Sequence, residues 1–119
     1  MITALLGTEH LPDFSGKILV LEDVNEPLYR IDRMLTQLKL SGALGKITGL
    51  MLGHFISPEQ ADLVEQVEEM ILQFTRDHPV PIISRFPHGH RLPNLTLPIG
   101  VPLQMDTESH KLHVNVALA

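Results

Sequence analysis

Short apolar runs alternate with longer amphipathic segments along the first two thirds of the chain. Residues 16–24, 46–55 and 80–86 each contain a brief run of aliphatic residues bounded by glycine, proline or polar residues, which predicts buried strands. The two segments between these runs have apolar residues at helical spacing. This order of strands and helices predicts an α/β domain with a partly parallel sheet.

The first of the two helical segments has signals for both of its ends. Asn25 or Glu26 is expected to cap the N-terminus, Pro27 suits the first turn, and Gly42 suits the stop. The apolar stripe of this helix consists of Leu28, Ile31, Met34, Leu35 and Leu38. The segment is therefore predicted to bury one face against the sheet.

The second helical segment begins with the sequence SPEQ. Ser57 is predicted as N-cap, Pro58 as the first helical residue and Gln60 as the third, which together form a capping box. Pro79 is expected to help end the helix. Its predicted buried stripe consists of Leu63, Val67, Met70, Ile71 and Phe74.

The end of the chain has the pattern of an antiparallel hairpin. Residues 101–106 and 110–118 are predicted strands, joined by a turn at residues 107–109. In the second strand, apolar and more polar positions alternate: Leu112, Val114, Val116 and Leu118 against His113, Asn115 and Ala117. We expect the hairpin to form a second small layer of one domain that spans residues 1–119. The opening segment, MITALLGT, resembles the tail of a helix.

Composition narrows the function classes. Hydrophobic residues make up 44% of the 119 residues and aromatic residues only 4%, so the core must be mainly aliphatic. A net charge of −5 argues against a nucleic-acid partner. The chain has no cysteine, which excludes disulfides and thiolate chemistry and fits a reducing compartment. We find neither a signal-peptide pattern nor a spanning apolar run, and so expect a cytoplasmic protein with no membrane partner.

Two histidines lie in the proline-rich and glycine-rich stretch between residues 85 and 100. In an extended chain, His88 and His90 would point to the same side, which suits a metal ion. However, no third ligand stands at an informative spacing, so we favour structural or surface histidines and expect neither metal nor cofactor. Pro93 and Pro98 stiffen the loop, and Asn94 is expected to hydrogen-bond its own backbone.

Two carboxylates end the first predicted strand. Glu22 and Asp23 are adjacent and should face opposite ways, so they do not form an acid–base pair. We interpret Asp23 mainly as a helix cap. Glu22 follows buried apolar residues at a carboxyl end, where active sites of α/β folds gather. No serine lies in a Gly-x-Ser-x-Gly elbow, and no glycine-rich phosphate loop is present. The residues alone indicate only a glutamate and a histidine that could cooperate.

Two longer motifs extend this interpretation. Leu21 and Glu22 end an apolar strand, and YRIDRML follows at residues 29–35. Gly89 and His90 precede PNLTLPIG at residues 93–100. In this order the motifs resemble the C-terminal half of the LD-carboxypeptidases, serine peptidases of peptidoglycan recycling whose family includes the microcin C self-immunity peptidases. The resemblance covers nearly the whole chain and implies a swivelling β/β/α architecture.

The resemblance also implies a site. The family has a Ser-His-Glu triad split between two domains, and the matching positions here are Glu22 and His90. Glu22 would hold the imidazole in one tautomer, and His90 would take the proton of the serine. The family reaction removes the terminal D-alanine from a murein tetrapeptide. His88 does not match the catalytic histidine.

One departure from the family is large, because the nucleophilic serine and its oxyanion-hole loop belong to an N-terminal domain that has no counterpart here. We therefore expect the isolated chain to be inactive and to need that domain of the same enzyme as its partner. Its uncovered apolar face predicts self-association as a homo-oligomer. The alternatives are a non-catalytic interaction module, a microcin-type self-immunity peptidase domain and a metal-binding domain. A phosphohistidine carrier would rest on fold analogy alone.

Overall fold

The computed structural model describes residues 1–59, 62–109 and 111–114. A parallel sheet with strand order β1-β2-β3 forms its centre, two helices connect the strands, and an antiparallel hairpin follows. The elements are β1 (Ile18–Val24), α1 (Leu28–Leu40), β2 (Gly49–Ile56), α2 (Val64–Phe74), β3 (Ile82–Ile83), β4 (Leu103–Asp106) and β5 (Lys111–Val114). The predicted α/β class, with a partly parallel sheet, two main helices and a C-terminal hairpin, is confirmed.

The core lies between the sheet and the two helices, which also pack against each other. It is mainly aliphatic, as the composition predicts, with Phe14 and Phe55 as buried aromatic residues. The predicted stripes of both helices face this core. Their buried members are Ile31, Leu35, Leu38, Leu63, Val67 and Ile71, and their partly buried members are Leu28, Met34, Met70 and Phe74. Helical periodicity thus predicted the packing faces of both helices correctly.

Strands β1 and β2 change register near their carboxyl ends. Leu21 is opposite Leu52, but Asp23 is opposite Phe55, so β2 contains one more residue than β1 over this stretch. An extra residue of this kind bends a strand and re-aims its side chains. The irregularity lies directly beside Glu22, at the end of the sheet where parallel strands commonly place functional residues.

The start of α1 differs from the prediction, although its end agrees with it. Pro27 is the N-cap residue, and no side chain caps the helix. Asn25 has a positive φ of 63° and donates its backbone N–H to β2, while Glu26 pairs with Arg30 at 3.2 Å. The prediction that Asn25 or Glu26 is the cap was therefore wrong. Gly42 follows the last turn with a φ of 76°, as expected for a glycine stop.

Helix α2 begins later than the sequence predicts, because its first residue follows Leu63 rather than Ser57. Leu63 is buried and donates its N–H to the carbonyl of Phe55 at 2.9 Å. This contact ties the chain before the helix to the end of β2, so that segment serves as a connection. The prediction of Ser57 as N-cap and Pro58 as first helical residue was wrong, and Gln60 lies outside the described residues.

The remaining elements are shorter than predicted. Strand β3 has only two residues, preceded by Pro81, which has no N–H to donate to a ladder. Strand β4 begins at Leu103, and the turn at residues 107–109 is present. Positions 110 and 115–118 of the predicted last strand lie outside the described residues. The N-terminal segment forms a 3₁₀ turn at Ile2–Leu5 rather than the end of an α-helix. No helix in the described part of the chain is long and apolar enough to cross a bilayer.

Candidate active site

A histidine and a glutamate meet at the carboxyl end of the sheet. The Nδ1 atom of His90 lies 2.8 Å from Oε2 of Glu22. An ionised carboxylate can only accept hydrogen bonds, so in the neutral ring Nδ1 carries the proton and Nε2 a free lone pair. The His90 side chain is 59% exposed and that of Glu22 is 26% exposed. One ring nitrogen is therefore held by the protein while the other is available to a partner, which is the arrangement of an oriented general base.

Two glycines make room for Glu22. A Cβ atom on Gly53 would lie 2.5 Å from the carbonyl oxygen of His88 and 3.2 Å from Cβ of Glu22. A Cβ atom on Gly89 would lie 2.8 Å from Oε2 of Glu22, and Gly89 has a φ of +123°. Only glycine permits this close approach. Gly53 was not predicted from the sequence, although an isolated glycine within a strand pattern is a known signal for a bulge or a close backbone contact.

The segment that carries His90, residues 86–90, is hydrogen-bonded to the central strand β2 and is called the histidine segment below. Phe86 donates its N–H to the carbonyl of Leu52 at 2.9 Å, and His54 donates its N–H to the carbonyl of His88 at 3.0 Å. These bonds continue the pairing along β2 beyond the short strand β3. They place His90 beside the end of β1, where Glu22 lies.

The proline-rich loop braces the other side of this segment. Leu95 donates its N–H to the carbonyl of Pro87 at 2.7 Å. The side-chain oxygen of Asn94 accepts a hydrogen bond from the N–H of Gly89 at 3.2 Å. Asn94 is thus hydrogen-bonded to the histidine segment, so the prediction that it would bond its own backbone was wrong. Both of these contacts join the loop to the histidine segment.

The two histidines of the loop have different partners. The Nδ1 atom of His88 lies 3.1 Å from the carbonyl oxygen of Leu95, whereas Nδ1 of His90 faces Glu22. Within residues 1–59, 62–109 and 111–114, no group of three or more histidine, aspartate or glutamate residues could hold a metal ion. The contact between His88 and the carbonyl of Leu95 indicates that His88 helps to hold the loop in place.

A cavity of about 570 Å³ opens beside the pair. This volume falls within the range typical of small-molecule sites, about 300–1,000 Å³. Carboxylates and imidazoles line one part of it, and apolar side chains line the rest, mainly from β1 and α1 but also from the N-terminal segment, Phe55 and Ile99. Its polar lining consists of Thr3, Glu22, Asp23, His88 and His90. The arrangement combines a base with an apolar surface that a substrate or another part of a protein could cover.

Asp23 contributes a second carboxylate to this cavity. Its Oδ1 accepts a hydrogen bond from the N–H of Val24 at 2.8 Å, so it lies within the strand and does not cap α1 as predicted. Partial burial raises the pKa of Asp23 above its ordinary value of 3.8, an effect that the Val24 bond opposes and the charge of Glu26 reinforces. The ionised form of Asp23, which predominates at neutral pH, is therefore destabilised by its partial burial in the fold.

We expect Asp23→Asn to stabilise the chain at neutral pH but not in acid. Because the folded-state pKa is raised, the stability that Asp23 contributes is full below its ordinary value of 3.8 and is lost as pH rises through the folded-state pKa. Urea unfolding at about pH 7 should thus favour the variant, and the advantage should vanish at about pH 3. The exposed Asp77→Asn is the control. A constant difference between Asp23→Asn and the wild type at both pH values would contradict this account.

No serine stands next to the base in the described part of the chain. Each hydroxyl is hydrogen-bonded to a carboxylate or a backbone group other than those of the Glu22–His90 pair. The serines are Ser15, Ser41, Ser57, Ser84 and Ser109. None of these serines is hydrogen-bonded to His90 in the described residues.

A protein-family model described as the LD-carboxypeptidase C-terminal domain matches residues 1–105. Among curated proteins, a Synechocystis protein whose name assigns it provisionally to the carboxypeptidases is 39% identical over 112 residues, covering 92% of this chain and 37% of that protein. The murein tetrapeptide carboxypeptidase of Pseudomonas aeruginosa is 35% identical over 95 residues, covering 80% of this chain and 30% of that protein. The chain thus spans about a third of the length of these relatives.

Solved structures give the same picture. The muramoyltetrapeptide carboxypeptidase from Oxalobacter formigenes superposes with a TM-score of 0.73 at 34% identity, covering 96% of this chain and 41% of that chain. The microcin C7 self-immunity protein MccF superposes with a TM-score of 0.81 at 25% identity, covering 97% of this chain and 35% of that chain. Both matches extend over almost all of the fold described above.

Proposed function

Because the chain belongs to the family of LD-carboxypeptidase C-terminal domains, we propose that it provides the histidine and glutamate of a serine peptidase. The observation that carries this proposal is the 2.8 Å contact between His90 Nδ1 and Glu22 Oε2, in which the His90 side chain remains 59% exposed. A base oriented in this way is useful only beside a nucleophile. We assign that nucleophile to a serine of the N-terminal domain of the same enzyme, which makes this domain the chain's main partner.

In the proposed reaction, the serine Oγ attacks the carbonyl carbon of the scissile amide while His90 Nε2 takes its proton. Glu22 stabilises the resulting imidazolium and keeps Nδ1–H pointed at the carboxylate. The C–N bond then breaks, and His90 passes the proton to the leaving amine. A water molecule, deprotonated by the same imidazole, hydrolyses the acyl-enzyme and restores the serine.

The substrate that we propose is a murein tetrapeptide, from which the complete enzyme removes the terminal D-alanine in peptidoglycan recycling. Support comes from the names of the Pseudomonas and Oxalobacter relatives, which are 35% and 34% identical to this chain. We place the reaction in the cytoplasm, which the absence of cysteine favours.

A microcin-type self-immunity peptidase is the second candidate. The higher TM-score of 0.81 to MccF supports it, although the sequence identity of 25% is lower than that to the murein enzyme of known structure. The two candidates share the same pair of residues and differ in the substrate. Activity on a microcin-like nucleotide peptide, with none on a murein tetrapeptide, would decide for the second.

We also propose that the face around the cavity packs against the N-terminal domain. Ile99 lines the cavity and is 84% exposed, and Met1 beside it is fully exposed. Apolar side chains in this position favour cover by another protein surface. When the isolated chain has no such domain, the same face would pair two copies, which is the basis for the expected homo-oligomer.

A chimera tests the proposal directly. Residues 1–119 replace the matching C-terminal part of the Pseudomonas murein tetrapeptide carboxypeptidase, and release of D-alanine from a murein tetrapeptide is measured. We expect turnover by the chimera and none by the isolated chain, because only the chimera brings a serine to His90. The intact Pseudomonas enzyme is the positive control. Release of D-alanine by the isolated chain, or a folded chimera without turnover, would contradict the proposal.

A further inference from the structure

We infer that Asn94 is a positioning residue, whose side-chain oxygen orients the peptide group between His88 and Gly89 and thereby aims His90 at Glu22. The inference rests on the proposed function, because it concerns the same base. It assigns a task to the loop after His90 that the Glu22–His90 pair alone does not reveal.

Both sides of that peptide group are held. Its carbonyl, from His88, accepts a hydrogen bond from the N–H of His54 at 3.0 Å. Its N–H, from Gly89, donates to Oδ1 of Asn94 at 3.2 Å. Because a peptide group is planar, fixing its C=O and its N–H in opposite directions fixes the orientation of the whole plane. Asn94 provides the half of this restraint that comes from a side chain.

The orientation of this plane controls where His90 begins. Gly89 has a φ of +123°. Glycine adopts positive and negative φ about equally readily, so the glycine itself does not fix this angle and other contacts must do so. Rotation of the plane would change this angle and displace the next residue, His90. The chain passes so close to Glu22 that a Cβ atom on Gly89 would lie 2.8 Å from Oε2. With so little space, a different backbone geometry at Gly89 would not bring the imidazole of His90 to the carboxylate of Glu22.

Asn94 is itself well anchored for this task. The adjacent Leu95 donates its N–H to Pro87 at 2.7 Å and receives the imidazole of His88 at 3.1 Å on its carbonyl. Asn94 is exposed, and its described side-chain contact is the one to Gly89. Its amide therefore serves the histidine segment and contributes nothing to the core.

The test reads the tautomer of the imidazole in the 119-residue chain by long-range ¹H–¹⁵N NMR at about pH 9, where a histidine with an ordinary pKa is neutral. In the wild type we expect the Nδ1–H form of His90. Asn94→Leu and Asn94→Ala remove the acceptor and should shift the ring to a mixture of both tautomers. Loss of one neutral hydrogen bond corresponds to about threefold to tenfold in this equilibrium. Asn94→Asp keeps an acceptor oxygen and should restore the wild-type form.

Thr96→Ala, in the same exposed loop, is the matched control and should leave the tautomer unchanged. A wild-type ring without the Nδ1–H form would count against the Glu22–His90 pair itself, and hence against the proposed function. A wild-type ring in the Nδ1–H form that persists in Asn94→Leu and Asn94→Ala would overturn only the role of Asn94. Hydrogen exchange of the Gly89 amide in the wild type needs no variant: exchange as fast as that of the Thr96 amide would also overturn it.

Discussion

His90→Ala in the chimera is expected to lower kcat for D-alanine release by about 10⁴-fold or more, the effect of removing the base of a serine triad. Glu22→Gln should have a smaller but still large effect of about 10²–10⁴-fold. The glutamine keeps the shape of Glu22 but loses the charge that stabilises the imidazolium. KM should change little in either variant, since neither side chain is assigned to ground-state binding of the peptide.

The double variant gives the sharper result. If the two residues act as one unit, Glu22→Gln combined with His90→Ala should be no slower than His90→Ala alone. His10→Ala, at a side chain that is 75% exposed and does not line the cavity beside the pair, serves as the control. Independent, multiplicative losses in the double variant would mean that the 2.8 Å contact has no catalytic meaning.

Gly53→Ala should damage both the stability of the domain and the geometry of the pair. The added methyl group would lie 2.5 Å from the carbonyl oxygen of His88, a backbone atom that cannot rotate away, and 3.2 Å from Cβ of Glu22. Overpacking of this kind destabilises proteins by about 1–3 kcal/mol. Relief requires the histidine segment to move off β2, which separates His90 from Glu22. We therefore expect a lower urea midpoint in the chain and at least ~10-fold lower kcat in the chimera.

Gly45→Ala is the matched control, because a Cβ atom there would meet no atom within 4 Å. It should leave the urea midpoint and the turnover of the chimera close to their wild-type values. Equal behaviour of the two variants would show that the close approach between β2 and the histidine segment is not required.

The elements of the fold could be predicted wherever periodicity decides them. Ile31, Leu35 and Leu38 repeat at helical spacing and are buried in α1, because one face of a helix beside a sheet must lose its contact with water. The starts of the helices were predicted wrongly for a physical reason. Ser57 and Pro58 form a strong local signal, but burial of Leu63 and its bond to Phe55 are tertiary contacts that local signals do not contain.

The candidate site was only partly accessible from the sequence. The resemblance of the two motifs led to Glu22 and His90, which the fold brings into contact. The glycine contacts around Glu22 are tertiary contacts beside a register change between β1 and β2, and no spacing along one strand reveals either feature. The bond from Gly89 to Asn94 was missed because turn chemistry suggests that asparagine bonds its own backbone.

The separation of Glu22 and His90 by 68 positions along the chain has a consequence for biosynthesis. Their encounter requires β1, β2 and the histidine segment to be assembled first, since closing so long a loop is unfavourable without the contacts between them. Nascent or partly unfolded molecules therefore hold the carboxylate and the imidazole apart, and the pair exists only once all of these segments have folded together.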